Sequence, residues 1–190
     1  ALFGGSLDIT YIGPNPTINA YAQSQGEAVR VIAGAASGGA SLVVRDGITT
    51  AQDLKGKKIA TPQLGNTQDV ALRAWLADEG LETSLTGGAS DVTITPQENS
   101  QTLDLFKAGQ LDGAWLPEPW ASRLVVDAGA HVLLDEKELW PEGDFVTIET
   151  LTHQASDDHE RMIEGDPGAE SVYLWTRDEK GVARRGAGEG

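Results

Sequence analysis

The stretch ATPQLGNTQD (residues 60–69) joins a strand-like run to a helix-like one, and this succession decides the class of fold. An apolar run ends at Ala60, and Pro62 and Gly65 break it before a helical spacing begins at Thr67. The sequence therefore predicts a strand, a short turn and a helix that starts at Asn66-Thr67. The side chains expected on the buried face of this helix are Val70, Ala71, Ala74 and Trp75.

Two kinds of group could occupy this helix start. The first turn of a helix leaves backbone N–H groups without partners and carries the positive end of the helix dipole. The side chain of Asn66 or Thr67 would cap it, with Asp69 completing an imperfect capping box. A small anion would fit the same place, and Gly65 would let the backbone approach it closely.

Strand-like and helix-like segments alternate along most of the chain. Each strand-like run is short, apolar and bounded by glycine, proline or polar residues. This alternation predicts an α/β fold with largely parallel strand pairing. The seven runs lie at residues 7–12, 29–35, 41–45, 57–61, 91–95, 111–115 and 131–135.

Start and stop signals frame the helices between these strands. Prolines precede the segment 17–25 and the segment that reaches Val126, while Asn99-Ser100 precede a face of Leu103 and Phe106. Three glycines follow plausible last turns, which predicts that the helices end there. These glycines are Gly80, Gly109 and Gly129.

The composition excludes several classes of function. The chain has 190 residues, 39% of them hydrophobic, with a formal net charge of −15. Such an acidic chain, without a Lys or Arg cluster before Arg184-Arg185, is unsuited to binding nucleic acid or an anionic membrane. There is no cysteine, so a disulfide, a thiolate nucleophile and a cysteine-bound metal are excluded.

Targeting signals are equally sparse. No run of about 18 apolar residues could span a membrane. The opening ALFGGSLDIT lacks the basic start and the apolar core of a signal peptide. If the protein is exported, we expect this chain to begin after the signal.

Three short polar clusters follow strand-like runs: GPN (13–15), SGG (37–39) and GNT (65–67). The segment GAASGGAS (34–41) has glycines spaced as in a phosphate-binding loop, but Ala40 stands where that loop has its essential lysine. Ser37 is not flanked by the G-x-S-x-G pattern of a nucleophile elbow. A turn between strands is the plainer interpretation of that segment. Because the clusters offer hydroxyl, amide and N–H groups without an acid, base or thiol, they indicate a binding pocket rather than a reaction site.

The segment GAWLPEPW (113–120) places two tryptophans and a carboxylate at the end of a strand that prolines stiffen. Trp115, Glu118 and Trp120 would then have fixed orientations at the edge where open α/β sheets bind ligands. In the alternative interpretation the tryptophans belong to the core, and the negative charge of Glu118 stabilises the N-terminus of the following helix. The residue types support both equally.

The chain loses any regular period from about residue 150, so that we expect an irregular tail over residues 151–190. His153 and His159 flank two aspartates there. Their spacing suits neither one face of a helix nor one face of a strand, and we expect no metal site.

Four longer segments resemble a family of transport proteins. They are GSLDITYIGPNPTINAYA, RVIAGAASGGASLVVR, DLKGKKIATPQLGNTQDVALR and DGAWLPEPWASRLV, in that order. They look like the substrate-binding proteins of ABC importers in the aliphatic sulfonate, taurine and nitrate group, which is related to the thiamine-precursor binding proteins. The resemblance runs from about Gly5 to Phe145.

The resemblance implies a type II periplasmic-binding-protein fold, in which a small solute lies between two lobes that close about a hinge. It implies a partial first lobe at 1–47, a second lobe at 48–135 and a return crossing at 136–150. It also implies no catalysis and no cofactor, a membrane permease as partner, and a place outside the cytoplasm. The ligand-binding residues that it implies are Gly13, Pro14, Asn15, Ser37, Gly38, Gly39, Asn66, Thr67, Gln68, Trp115 and Glu118.

The chain departs from the family pattern at both ends. The family begins with a signal peptide, a strand and a helix before GSLDI, and after Phe145 it continues with a strand and helices that ETLTHQASDDHERMIEG does not resemble. We therefore expect an incomplete first lobe and a shift of reading frame near residues 147–151.

The leading functional hypothesis is a receptor for a small sulfonate-like anion, held by Asn66 and Thr67 and by the Ser37-Gly38 turn. A fragment that no longer binds and a binder of thiamine-precursor pyrimidines are the alternatives. A related fungal enzyme uses a cysteine-rich motif, so the absence of cysteine disfavours catalysis.

Overall fold

The computed structural model describes residues 9–86, 90–139, 147–154, 175–177 and 183–185. Two short 3₁₀ turns, Ala51–Leu54 and Glu136–Leu139, accompany the regular elements. The helices are α1 (Pro14–Gln23), α2 (Thr67–Asp78), α3 (Asn99–Lys107) and α4 (Trp120–Ala128). The strands are β1 (Ile9–Ile12), β2 (Val29–Ser37), β3 (Ala40–Val44), β4 (Lys58–Thr61), β5 (Thr93–Pro96), β6 (Gly113–Pro117), β7 (His131–Asp135), β8 (Thr147–Gln154), β9 (Trp175–Arg177) and β10 (Ala183–Arg185).

The seven strand-like runs correspond to β1–β7, and the predicted α/β class is confirmed. The glycine stop signals also hold. Gly80, Gly109 and Gly129 have φ values of +75°, +75° and +67°, a left-handed conformation that glycine adopts without a steric penalty and that ends each helix.

The chain divides into two compact units. The first comprises the residues up to Ser37 and those from Thr147 onward, and the second runs from Gly38 to Val146. Residues 38–47 and 136–139 therefore lie in the second unit, outside the boundaries expected at 48 and 135. The reason is that β3 pairs with β6 and β7, and the turn at Glu136–Leu139 packs on β3 and β7.

The second unit is built on a five-stranded sheet in the order β5-β4-β6-β3-β7. β4 pairs in parallel with both β5 and β6, whereas β3 is antiparallel to β6 and to β7. Strands β4 to β7 thus share one direction, as expected for strands joined by helices, and β3 alone is reversed.

The first unit contains a three-stranded sheet in the order β1-β8-β2, with β8 antiparallel to both neighbours. The helix α1 links β1 to β2 and packs against β2 and β8. The prediction of largely parallel pairing is therefore wrong, because β3 and β8, each inserted between two strands of the opposite direction, make most of the ladders antiparallel.

The predicted irregular tail is also corrected for the residues that the structure describes. Residues 151–154 continue β8, and β9 pairs with β10 in an antiparallel ladder. His153 lies in β8, where it pairs in register with Ile9 and Arg30. The remainder of the tail, including His159, lies outside the described residues.

The core of the second unit lies between this sheet and its helices. Leu103 and Phe106 of α3 are buried as predicted and pack with Leu116 of β6 and Leu124 of α4. Burial of such side chains contributes about 1.5–3 kcal/mol each.

The predicted buried face of α2 is wrong. Leu72 and Leu76 are fully buried, whereas Ala74 is exposed and Val70 is 38% exposed. The polar residues Gln68 and Asp69 begin the buried face, and they are the reason that the apolar spacing from Val70 was misleading.

The two faces of α2 predict different costs of truncation. Leu72→Ala should lower the free energy of unfolding by about 2–5 kcal/mol, because it leaves a cavity in the core. Val70→Ala, its matched control on the same helix, should change that energy by no more than about 0.5 kcal/mol. Urea denaturation of both variants measures the difference, and equal costs would contradict the assigned face.

Candidate ligand-binding site

The polar clusters of the second unit gather at one edge of its sheet. The ends of β4 and β5 pair through Thr61 and Pro96, and the end of β6 pairs with the start of β3 through Pro117 and Ala40. We call this the carboxyl edge, since β4, β5 and β6 all end there. Open α/β sheets bind their ligands at such an edge.

The turn Gly38-Gly39 and the loop after β6 are direct neighbours at the carboxyl edge. The backbone N–H of Glu118 donates a hydrogen bond of 2.7 Å to the carbonyl oxygen of Gly39. Gly38 and Gly39 have φ values of +68° and +78°, which only glycine adopts readily. The structure thus brings the predicted site residues Gly38 and Gly39 beside the predicted loop 115–118.

The start of α2 forms the next part of the edge. Asn66 caps the helix: its Oδ1 accepts a hydrogen bond of 2.9 Å from the N–H of Asp69, and its Nδ2 donates to Gln68 Oε1 at 3.0 Å. The side-chain cap considered from the sequence is therefore present. The N–H groups of Thr67 and Gln68, at the first two helical positions, have no intrahelical acceptor.

Thr67 carries an unusual hydroxyl. The residue is 8% exposed, and among the described residues its Oγ1 is one of two buried side-chain polar atoms without a hydrogen-bond partner. The other is Oδ1 of Asn99, in the first turn of α3, which follows the neighbouring strand β5. Leaving a buried hydroxyl unpaired costs about 1–3 kcal/mol.

Asp69 lies beneath this helix start and is 1% exposed. Its carboxylate accepts hydrogen bonds from Thr61 Oγ1 at 2.9 Å, from the N–H of Gly65 at 3.0 Å and from Arg73 Nε at 3.0 Å. The expected capping box would have returned this carboxylate to the N–H of Asn66, and it reaches Gly65 instead. Arg73 also donates to the carbonyl oxygen of Ser84 at 3.0 Å.

The sequence analysis missed the Asp69–Arg73 ion pair. An aspartate four residues before an arginine on a helix is a recognisable signal for such a pair. That spacing, together with the small polar Thr61 at the end of β4, could have identified the group.

Trp115 and Glu118 follow the second of the two interpretations considered from the sequence. The Trp115 side chain is fully buried, packs edge-on against Trp75 at 6.3 Å between ring centroids, and donates from Nε1 to Glu136 Oε2 at 2.8 Å. The Glu118 carboxylate accepts from the N–H and Oγ of Ser122 at 3.1 and 2.9 Å, and so caps the start of α4. In this structure the Trp115 side chain cannot reach a ligand.

Trp120, at the start of α4, is only partly buried. The guanidinium of Arg123 lies 4.8 Å from the centre of its ring. The Arg123 guanidinium also forms a salt bridge with Asp127, so that both of these contacts lie on the surface of α4.

The remaining predicted residues belong to the first unit. Gly13 precedes α1, and its carbonyl oxygen accepts from both N and Oγ1 of Thr17, at 3.2 and 3.0 Å. Pro14 and Pro16 have no N–H, so that Asn15 supplies the backbone N–H without an intrahelical acceptor at this helix start. Ser37 is the last residue of β2.

A cavity of about 240 Å³ lies beside the edge strand β5. Its lining includes Leu64, Arg73, Ile94 and Pro96. None of the predicted site residues lines it.

A two-unit α/β chain with a mixed sheet and polar helix starts at its carboxyl edge has the fold of the periplasmic binding proteins. Residues 1–165 match the NMT1-like family, and the chain belongs to this family. Among the described residues, no helix is both long and apolar enough to cross a membrane.

Solved structures of the same fold include three solute-binding proteins. The alkanesulfonate-binding protein SsuA of Xanthomonas axonopodis pv. citri, bound to MOPS, is 27% identical with a TM-score of 0.61, over 80% of this chain and 50% of that chain. The aliphatic sulphonate-binding protein SsuA of Escherichia coli is 24% identical, with a TM-score of 0.62 over 80% and 49%. The nitrate-binding protein NrtA of Synechocystis PCC 6803 is 19% identical, with a TM-score of 0.65 over 82% and 43%.

A candidate binding protein of Brucella abortus strain 2308 is 31% identical over 119 residues. The match covers 62% of this chain and 34% of that protein. The chain thus spans about a third of the length of this relative and about half of the solved structures.

The ion pair beneath the site predicts a large effect of a conservative change. Asp69→Asn should lower the free energy of unfolding by about 3–5 kcal/mol, because it leaves the half-buried Arg73 without its counter-charge. The control is Asp127→Asn, which removes the exposed pair with Arg123, also four residues away, and should cost about 0–1 kcal/mol. Thermal or urea unfolding separates the two, and similar costs would mean that Asp69 does not organise the turn.

Proposed function

We propose that this chain is the solute-binding part of an ABC importer and acts outside the cytoplasm. It binds a small sulfonate-like anion, of the sulfonate, taurine or nitrate type, and passes it unchanged to a membrane permease, without catalysis. Membership of the NMT1-like family supports this, and so does the fold shared with an alkanesulfonate-binding protein and a nitrate-binding protein.

The observation that carries the proposal is the first turn of α2. It presents the N–H groups of Thr67 and Gln68, which have no acceptor within the helix, and the buried Thr67 hydroxyl, which has no hydrogen-bond partner among the described residues. An anion with two or three acceptor oxygens would satisfy all three donors, and the helix dipole favours negative charge at this position.

The buried carboxylate of Asp69 does not forbid an anion there. Arg73 lies 3.0 Å from it, so that the pair is electrically neutral, and the partial charge of the helix end remains. The net charge of −15 repels anions at long range, but salt screens this repulsion beyond about 8–10 Å.

The turn Gly38-Gly39 and the backbone of the Leu116–Glu118 loop would complete the site within the second unit, with Asn66 fixing the orientation of the helix start. The contribution of Ser37, and that of Gly13, Pro14 and Asn15 in the first unit, stays a prediction.

A thermal-shift screen with methanesulfonate, taurine, nitrate and an aminopyrimidine tests the function. A ligand that binds only the folded state raises the melting temperature by mass action. We expect at least one of the three anions to raise it and the pyrimidine to leave it unchanged. If none of the anions does so, the proposed function is wrong, and a response to the pyrimidine alone would favour a thiamine-precursor binder.

The substitution Thr67→Val tests where the anion binds, because valine has nearly the shape of threonine and lacks only its hydroxyl. Removing an unpaired buried hydroxyl should leave the free energy of unfolding unchanged or raise it by about 1 kcal/mol, while the affinity for the responding anion falls about tenfold. Calorimetric titration measures the affinity.

The matched control is Thr93→Val, at the exposed start of β5, in the lining of the 240 Å³ cavity described above. Loss of affinity in this control but not in Thr67→Val would move the site to that cavity.

A further inference from the structure

The cavity beside β5 has walls that the proposed function does not use. Four of the described residues that line it are apolar: Leu64, Leu85, Ile94 and Pro96. Leu64 and Leu85 are 53% and 68% exposed, although they come from two loops on either side of α2. Single exposed leucines are common on protein surfaces, but two that meet at a cavity with an isoleucine and a proline form an apolar patch of the kind that marks a binding site.

The volume of the cavity limits the size of its occupant. An apolar cavity of about 150 Å³ in a protein core admits benzene. The cavity beside β5 has a volume of about 240 Å³ and therefore admits a molecule of about ten non-hydrogen atoms. This size suits a small organic molecule and excludes a nucleotide or a folded peptide.

Arg73 is the one charged residue among the described residues of the lining, and its side chain is 14% exposed. Its Nε and Nη2 donate to the Asp69 carboxylate at 3.0 and 3.3 Å, and its Nη1 donates to the carbonyl oxygen of Ser84 at 3.0 Å. Each of the two terminal nitrogens carries a further N–H group, and neither of these has an acceptor among the described residues. The cavity therefore adjoins a guanidinium that can still donate to an occupant.

The charge of this guanidinium is already balanced. Asp69 is 1% exposed and lies 3.0 Å from Arg73, so that an anionic occupant would meet the negative charge of a buried carboxylate behind its donor. A neutral acceptor avoids that repulsion and still forms a charge-assisted hydrogen bond with the guanidinium. The hydroxyl of Ser90, also in the lining, donates to the Val92 carbonyl oxygen at 3.1 Å, which leaves Arg73 as the donor for the occupant.

We propose that the cavity beside β5 is a second binding site, for a small uncharged organic molecule with an apolar body and a carbonyl oxygen. The body packs on Leu64, Leu85 and Ile94, and the oxygen accepts a hydrogen bond from Arg73. This site is separate from the candidate anion site at the start of α2 and goes beyond the proposed function, on which it does not rest.

The test is a titration of the chain with three probes that have the same number of non-hydrogen atoms: acetophenone, α-methylstyrene, in which a methylene group replaces the carbonyl oxygen, and benzoate. Methyl NMR follows the resonances of Ile94, assigned with Ile94→Val. We expect acetophenone to shift them saturably and to bind about tenfold more tightly than α-methylstyrene, because a hydrogen bond from a charged donor is worth about that factor. Benzoate should bind more weakly than acetophenone, because Asp69 repels it.

Two pairs of variants locate the binding. Thr93→Trp places a large ring in the lining at the exposed start of β5 and should abolish the binding of acetophenone, whereas Val132→Trp, on the opposite edge strand β7, should leave it unchanged. Leu85→Ser should weaken it severalfold, and its control is Val126→Ser on α4, which is 81% exposed. All four positions are exposed, and urea denaturation checks that the variants fold.

The contrary outcomes are equally distinct. Ile94 resonances that do not shift saturably, or a shift that persists in Thr93→Trp, overturn the second site; if that variant does not fold, Leu85→Ser decides. Equal affinities for acetophenone and α-methylstyrene overturn the role of Arg73, and tighter binding of benzoate overturns the uncharged class. Displacement of acetophenone by methanesulfonate would show that the anion occupies this cavity, so that there is no separate site. A chain that binds acetophenone but no anion would refute the proposed function and leave the second site standing.

Discussion

The buried carboxylate of Asp69 is the interaction on which the geometry of the second unit depends. It joins three segments that are separate along the chain: the end of β4 through Thr61, the turn through Gly65 and the second turn of α2 through Arg73. Each of these bonds is charge-assisted and stronger than its neutral counterpart. The helix start is therefore fixed against the strand that precedes it, and its first N–H groups lie at the carboxyl edge.

The reversed strand β3 gives the edge its second component. Because β3 runs against β6 and β7, its first residue lies beside the last residue of β6, and the turn that precedes it meets the loop that follows β6. In an all-parallel sheet that turn would lie at the opposite end of the strands. The antiparallel pairing that the sequence did not predict is thus what brings Gly39 and Glu118 within one hydrogen bond.

Local chemistry explains what could be predicted from the sequence. The strands β1–β7 and the helix ends at glycine depend on residues close to one another along the chain, and both were predicted correctly; the cap at Asn66 was one of the alternatives weighed. Strand direction at β3 and β8 depends on partners far away along the chain, which no local pattern records. The buried face of α2 was misjudged because polar Gln68 and Asp69 are buried, and an apolar count assigns polar residues to solvent.

Sequence likewise identified the segments of the candidate site but not the roles of their side chains. Trp115 and Glu118 were considered both as ligand contacts and as structural residues, and the structure gives them structural contacts. Which of the two holds depends on the distant Glu136 and on Ser122, one turn away in α4. The site that we propose within the second unit accordingly consists of backbone N–H groups and one hydroxyl rather than of large side chains, which would suit a small anion.

The two buried carboxyls of the carboxyl edge differ in a way that assigns them different roles. Asp69 has a guanidinium and two further donors, so its charge is compensated and its contacts hold the turn as long as the pair is intact. Glu136 accepts, among the described residues, from the neutral indole N–H of Trp115 and has no cationic partner there, and its burial raises the pKa above the ordinary value. Proximity to the same edge therefore does not make the two groups equivalent: the first fixes the helix start against the end of β4, and the second holds the indole of Trp115 in the core.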